Sequence, residues 1–344
     1  MKQIQTLETY LQKQVADDDI RSAVATTILC IAAATIRIKK LVARVQLDAA
    51  RGDNTHGDFE KALDLIANEC IVEALQNAPV ATLVSEELEQ PMLLHEAAPL
   101  SVAIDPLDGS SNVRINSATG TIFSIFPASR ARHAPADDDV LQAGDKQLAA
   151  GYCIYGPQTS LVLTLGAGTH IFTLDPDDDE FYLTSASVQI AETTREFAID
   201  VANFRHWDQH IRAYIDDCLD GEDGLRKSNY DMRWVASLVA ECHRILSRGG
   251  IYLYPGDARK GHAQGRLRLL CQCNAVAFLV EQAGGGATTG QQRIMGLKPG
   301  TIHQRVPMIF GASREIRRIE RYYTERGMTA ERSPLFNKRG LFRV

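Results

Sequence analysis

The stretch SVAIDPLDGSSNV, residues 101–113, carries the densest chemistry in the chain. An apolar run ends at Asp105, Pro106 forces a turn, Asp108 follows three residues after Asp105, and Gly109 opens the backbone ahead of Ser110, Ser111 and Asn112. Two carboxylates at the mouth of a turn can hold hard cations through oxygen, and the Leu107 carbonyl between them is a further donor. A helix starting after Gly109 would add free N–H groups and two hydroxyls, an anion pocket beside the cations. Metal and phosphate would then share one site. A bare DxxDG also reads as an acidic turn whose Asp caps a helix. Its company favours chemistry: VSEELE offers Glu86 and Glu87 after another short apolar run, and Asp64 sits on an amphipathic segment. Five carboxylates gathered at strand ends and helix starts repel one another unless cations neutralise them.

The elements that must position these groups follow from periodicity. From Lys61, KALDLIANECIVEAL puts Leu63, Ile66, Ala67, Cys70 and Ala74 on one helical face and Lys61, Asp64 and Asn68 on another. Residues 1 to about 77 are expected to be helical, with the Gly-rich RGDNTHGD (51–58) as a loop. The apolar residues 23–36 are broken by threonines, fall short of the roughly 18–20 residues of a membrane span, and are followed by Arg37, Lys39 and Lys40, so they read as a buried helix. Short β-like runs cover 81–84, 102–104 and 121–126, and the polar insertion 127–147, with Asp137, Asp138 and Asp139, reads as a solvated loop. Runs at 151–155, 160–165, 169–174 and 180–183 predict an antiparallel meander, with DPDDDE from Asp175 as a hairpin tip rather than a calcium loop. A second half begins near Arg195: a strand at 196–199, helices over 207–218 and 232–247, the latter with Val235, Leu238, Val239 and Cys242 on one face and Gly249 and Gly250 at its end, a strand at 251–254, a helix over 274–283 and a terminal helix from Arg314. GRLRLL, read alone, is a β-strand with an arginine face.

The chain has 344 residues, 45% hydrophobic and 23% charged, the proportions of a soluble globular protein of about two domains. Its net charge of −6 argues against nucleic acid as the main partner. The charged, amphipathic start MKQIQTLETYLQKQ has no signal-peptide core, so a cytoplasmic protein without membrane contact is expected. Seven cysteines without a CxxC read as reduced thiols packed as small hydrophobes, not a zinc site or disulfide framework.

Over residues 6–322 the chain resembles class I fructose-1,6-bisphosphatase, within the wider lithium-sensitive, magnesium-dependent sugar and inositol phosphatase superfamily. The segments that carry the likeness are VSEE, DPLDGSSN, GTIFSI, VAECHRIL, GGIYLYP, GRLRLL, EQAGGGATTG and IHQR, in that order. The resemblance implies a layered α/β/α/β/α sandwich with the active site between two halves. Residues 1–195 would carry the metal-binding carboxylates and possible regulatory helices, 196–330 the sugar-phosphate contacts, and 331–344 a disordered tail. It further implies that Glu86, Asp105, Asp108 and the Leu107 carbonyl bind two or more Mg2+ ions per subunit, with Mn2+ as a substitute, and that Asp64 and Glu87 orient or deprotonate the attacking water. Asp108, Gly109, Ser110 and Ser111 would hold the 1-phosphate. Tyr254, Arg266, Arg268 and, from a neighbouring subunit, Arg233 would hold the sugar and 6-phosphate of a sugar bisphosphate. A homotetramer serving gluconeogenesis or carbon fixation is expected on the same ground.

Several positions depart from the family pattern. Gln272 stands where the family has a metal-binding glutamate, and brings an amide oxygen without charge. Arg114 replaces an acid, which would oppose cation loading unless it turns away. Asp200 replaces a substrate-contacting asparagine, Trp234 and Cys271 replace tyrosines, Arg266 replaces a lysine, and Leu100 replaces a polar aromatic nucleotide contact, so AMP regulation is not supported. The leading expectation is hydrolysis of the 1-phosphate of fructose 1,6-bisphosphate. The alternatives are a catalytically weakened sugar-phosphate-binding paralogue, and a phosphatase for another substrate such as sedoheptulose 1,7-bisphosphate or an inositol phosphate.

Overall fold

The computed structural model describes residues 4–15, 18–49, 56–128 and 140–325. Three helices open the chain: α1 (Leu7–Val15), α2 (Asp19–Ala49) and α3 (His56–Leu75). α2 is long and apolar enough in composition to cross a membrane, yet Ile28, Ile31 and Ile38 are fully buried in the protein's own core. Its interrupting threonines are satisfied without leaving the helix, Thr27 Oγ1 donating to the Ala23 carbonyl at 2.9 Å and Thr35 Oγ1 to that of Ala32 at 2.7 Å. The expected loop at 51–58 is corrected at its end, because residues 56–58 already belong to α3; a helix's first turn tolerates Gly and polar residues, since its N–H groups have no intrahelical partner anyway. Residues 51–55 lie outside the described residues, as do Asp137, Asp138 and Asp139 of the polar insertion and the 331–344 tail.

A sheet of eight strands follows: β1 (Val80–Ser85), β2 (Met92–Leu93), β3 (Leu100–Asp108), β4 (Thr119–Pro127), β5 (Ala149–Tyr155), β6 (Thr159–Thr164), β7 (Thr169–Asp175) and β8 (Glu180–Ser185), in the order β2-β1-β3-β4-β5-β6-β7-β8. β1 and β3 are parallel and the other pairs antiparallel, so the predicted meander is β5 to β8, with Asp175 opposite Glu180 at the hairpin tip. Every residue of β1, β3, β5 and β6 is buried, the pattern of strands covered on both faces.

The second half contributes β9 (Glu196–Ala198), α4 (Gln209–Leu219), β10 (Asp231–Met232), α5 (Leu238–Arg248), β11 (Ile251–Tyr254), β12 (Leu267–Arg268), α6 (Asn274–Gln282), β13 (Gly286–Thr288), β14 (Arg305–Val306), β15 (Met308–Gly311) and α7 (Ser313–Thr324). Five of these strands form a sheet in the order β10-β9-β11-β15-β13, and β12 pairs with β14. Apolar residues of α1, α2 and α3 pack on one face of the large sheet; α5 and α6 fill the space between the sheets; α4 and α7 cover the outer face of the small one. The molecule is therefore the layered α/β/α/β/α sandwich. All seven cysteines are free, and six of them are buried among apolar side chains.

Two expectations are corrected here. The helix read over 232–247 starts only at Leu238, where Ser237 caps it by accepting the Ala240 N–H at 3.4 Å and Glu241 folds back to accept the Val235 N–H at 2.7 Å. Val235, 40% exposed, lies outside the buried face that its spacing suggested. GRLRLL is a strand only at Leu267–Arg268; Leu269–Cys273 then winds as a short π-helix into α6, with all five side chains buried.

Candidate active site

The carboxylates converge where the two halves meet. β3 ends in the acidic turn: the Leu107 N–H donates to Asp105 Oδ1 at 3.1 Å, and the Pro106 carbonyl accepts from Thr121 Oγ1 at 2.7 Å, which fixes the turn on β4. Gly109 adopts φ 75°, a left-handed conformation that a side chain disfavours, and directs the chain into a short 3-10 turn over Ser110–Asn112. The second half grips this turn. Asp108 Oδ2 accepts the Val239 N–H at the start of α5 at 3.3 Å, and Asn112 Nδ2 donates to the Ala236 carbonyl at 2.9 Å. Asn112 belongs to the motif, but nothing in its spacing points to this contact.

Asp64 reaches in from α3, its Oδ2 accepting from Ser110 Oγ at 3.2 Å. Burial and the neighbouring Glu87 push its carboxyl up to about 7, against the pull of the Ser110 bond. Burial also raises Glu87, with Glu86 beside it, and raises Asp108 against the stabilising Val239 N–H. Burial raises Asp105 well above the usual carboxylate range, with Glu86 and Asp108 adding to it. Glu86 is held by Arg268, whose Nε lies 2.8 Å from its Oε1. Asp105 Oδ2 accepts from Gln272 Nε2 at 2.8 Å.

Among the described residues no three Asp, Glu, His or Cys side chains are gathered closely enough to hold a metal ion as they stand. Their chemistry nevertheless suits a hard cation. The donors are all oxygen, they repel one another when charged, and Asp64 Oδ1 and Glu86 Oε2 are buried without a hydrogen-bond partner. The Gln272 amide oxygen accepts the Arg268 N–H at 2.9 Å. Arg114 stands 3.8 Å from Glu60, one turn before Asp64 on α3, so its charge has an acidic neighbour.

The predicted sugar-phosphate residues divide into groups. The Arg266 guanidinium lies 5.9 Å from the centre of the Tyr254 ring, and Trp234 stacks on Tyr252 at 5.8 Å and leans on Tyr254 at 6.2 Å. Arg233 stands apart on the β9–β10 edge, 3.7 Å from both Glu196 and Asp231 and 47% exposed. Asp200 caps the short helical turn Val201–His206, accepting the Ala202 N–H at 3.2 Å and the Asn203 side-chain amide at 2.7 Å. Leu100 is core. Sequence reasoning missed Arg259, which forms a bidentate pair with Asp257 in the loop after β11, and His303, which bonds the Leu88 carbonyl at 2.9 Å beside Glu86 and Glu87. IHQR contained His303, but nothing in its spacing pointed to the acidic turn. A cavity of about 540 Å³ opens beside the loop after β11, lined in part by His206, Asp257, Gln264 and Gln304; none of the predicted site residues lines it.

A layered α/β sandwich whose clustered carboxylates border a Gly-Ser-Ser turn at the junction of two halves defines a phosphoric monoester hydrolase of the sugar phosphatase type. Residues 5–186 match the family model for the fructose-1-6-bisphosphatase N-terminal domain, and residues 190–324 the model for its C-terminal domain. The chain is 51% identical to the class 1 fructose-1,6-bisphosphatase of Rhizobium meliloti, over 98% of this chain and 99% of that one, and 49% identical to one from Nitrobacter hamburgensis with the same coverage. Its fold matches the crystal structure of Leishmania major fructose-1,6-bisphosphatase in holo form with a TM-score of 0.84, at 29% identity over 94% of this chain and 99% of that one. The chain belongs to the class I fructose-1,6-bisphosphatase family.

Proposed function

We propose that the chain hydrolyses the 1-phosphate of fructose 1,6-bisphosphate to give fructose 6-phosphate and inorganic phosphate. The observation that carries this reading is the meeting of Asp64, Glu86, Glu87, Asp105 and Asp108 at the Gly109–Ser110–Ser111 turn, an acidic, cation-binding wall beside an anion-binding one. Glu86, Asp105, Asp108 and the Leu107 carbonyl would hold divalent cations, Mg2+ with Mn2+ as a substitute and two or more per subunit. Such cations supply charge neutralisation of the phosphate and its leaving oxygen and lower the pKa of water. The Ser110 and Ser111 hydroxyls and the N–H groups of the turn bind and orient the 1-phosphate. Asp64, its Oδ2 fixed by Ser110 and its Oδ1 without a partner, takes a proton from the attacking water, with Glu87 adjacent.

Tyr254 and Arg266 hold the distal 6-phosphate, and the half-exposed Arg233 serves a neighbouring subunit of a homotetramer. Division of the chain into halves near residue 195 is supported by the fall of the large sheet within 80–185 and the small one within 196–311. We place the protein in the cytoplasm and its reaction in gluconeogenesis or carbon fixation, with sedoheptulose 1,7-bisphosphate as a second substrate.

Product analysis tests the regiochemistry. With 31P NMR the 1-phosphate resonance should be lost and the 6-phosphate kept, while inositol 1-phosphate survives under the same conditions; loss of the 6-phosphate or preferential cleavage of inositol 1-phosphate would refute the assignment. Arg266→Met should raise KM for the bisphosphate about 10- to 100-fold and change kcat less than about threefold, because a charge-assisted contact to a non-reacting phosphate contributes roughly 1.5–3 kcal/mol to ground and transition state alike. Steady-state kinetics checks this.

A further inference from the structure

Besides the Val239 and Ala236 main-chain contacts, one neutral side chain of the second half reaches the acidic turn. Gln272, in the π-helical turn before α6, is 7% exposed. Its Nε2 donates to Asp105 Oδ2 at 2.8 Å, across 167 residues of sequence, and its Oε1 accepts the main-chain N–H of Arg268 at 2.9 Å. The partners dictate how the amide is turned. A main-chain N–H only donates and a carboxylate accepts, so the oxygen must face Arg268 and the nitrogen Asp105. Arg268 in turn places its guanidinium on Glu86, so a single amide bears on two of the carboxylates at once.

We propose that Gln272 is a positioning residue that braces Asp105 against Arg268, and so keeps Asp105 and Glu86 in place while no cation is bound, rather than serving as a ligand itself. This deepens the hydrolase reading, on which its purpose rests, but the brace is a property of the folded chain. A carboxylate at this position could still accept the Arg268 N–H, but its second oxygen would face the Asp105 carboxylate, acceptor against acceptor in a buried place. A divalent cation between the two would turn that repulsion into coordination. The amide therefore favours the cation-free protein, and a glutamate would shift stabilisation toward the loaded one.

The test compares the unmodified full chain with Gln272→Glu and Gln272→Met by thermal unfolding, in chelator and in saturating Mn2+, with Mn2+ binding followed by electron paramagnetic resonance. In chelator both variants should unfold roughly 3–6 °C lower than the parent. Mn2+ should restore the Glu variant to the parent's midpoint or above and leave the Met variant low, and the Glu variant should bind Mn2+ at least about threefold tighter than the parent, in line with an added anionic oxygen ligand. A Glu variant as stable as the parent in chelator, or an equal gain from Mn2+ in all three proteins, would overturn the proposal. If the Met variant does not fold, the Glu comparison alone decides. Phosphate release is measured separately: its absence from the unmodified chain would sink the hydrolase reading while leaving the unfolding and Mn2+ results to judge the brace.

Discussion

Asp64→Asn is expected to lower turnover by about 10²–10⁴-fold, the usual worth of a positioned general base, while raising the unfolding midpoint of the cation-free protein at pH 8. The two effects share one cause. Asp64 is held half-buried beside Glu87, and its carboxyl is pushed up to about 7, so at pH 8 it is charged against the preference of its surroundings. An unfolded aspartate titrates near 4. Between about pH 4 and pH 7 the folded state binds the extra proton, so the stability of the cation-free protein falls as pH rises through that window, and the penalty is complete above it. Asparagine removes the penalty and keeps an oxygen for the Ser110 hydroxyl, so fold and turn survive. It cannot take a proton from water. In chelator, the stability advantage of the variant should be largest at pH 8 and vanish towards pH 4. A variant that loses activity together with stability would indicate a structural role for Asp64 instead.

Gly120→Ala is the second large effect, expected to destabilise the protein by about 2–3 kcal/mol, within the range of overpacked interiors, and to lower activity in the fraction that folds. Gly120 sits opposite Asp108 in the β3–β4 ladder. A Cβ there would come within 2.3 Å of the Cys153 carbonyl oxygen on β5 and 3.0 Å of both Val239 methyl groups on α5. The carbonyl belongs to a buried central strand and cannot swing aside as a side-chain tip would. Relief requires β4 to draw away from β5 at the residue paired with Asp108 and α5 to give way, and the first turn of α5 holds Asp108 through the Val239 N–H. The substitution therefore loosens the contact that seats one carboxylate, although position 120 touches no substrate. Chemical denaturation gives the stability loss, and the activity of refolded protein normalised to its folded fraction gives the second effect; an unchanged denaturation midpoint would contradict the packing argument.

Much of this architecture is legible in the residues because local pattern and tertiary environment agree. The strands from β4 to β8 are apolar runs between turn residues, and each lies within a residue or two of its predicted place, whereas β3 runs on to Asp108, well past the predicted end at 104. The acidic turn is legible for a different reason: Asp105, Asp108, Gly109 and Ser110 are adjacent in sequence, so their chemistry needs no knowledge of the fold. Legibility fails where the deciding partner is distant. The start of α5 is fixed by the Ser237 cap and by Glu241, not by the apolar spacing that drew Val235 into the helix. The conversion of GRLRLL into a two-residue strand and a π-helix goes with the bond from the Arg268 N–H to Gln272, and the engagement of Gln272 depends on Asp105 in the other half. Asp200 reads as a replacement at a substrate contact, but its carboxylate is spent on the first turn of a short helix. Arg114 likewise reads as a threat to cation binding until Glu60 is seen beside it.

Metal-dependent hydrolysis is checked by following phosphate release from fructose 1,6-bisphosphate by the purified full chain, with Mg2+ titrated, with chelator, and with Asp64→Asn in parallel. The hydrolase assignment requires release that saturates with Mg2+, stops in chelator, returns when Mg2+ is restored, and falls by at least about 10²-fold in the variant. No release at any Mg2+ concentration from protein that unfolds cooperatively, or release indifferent to chelator, would contradict it.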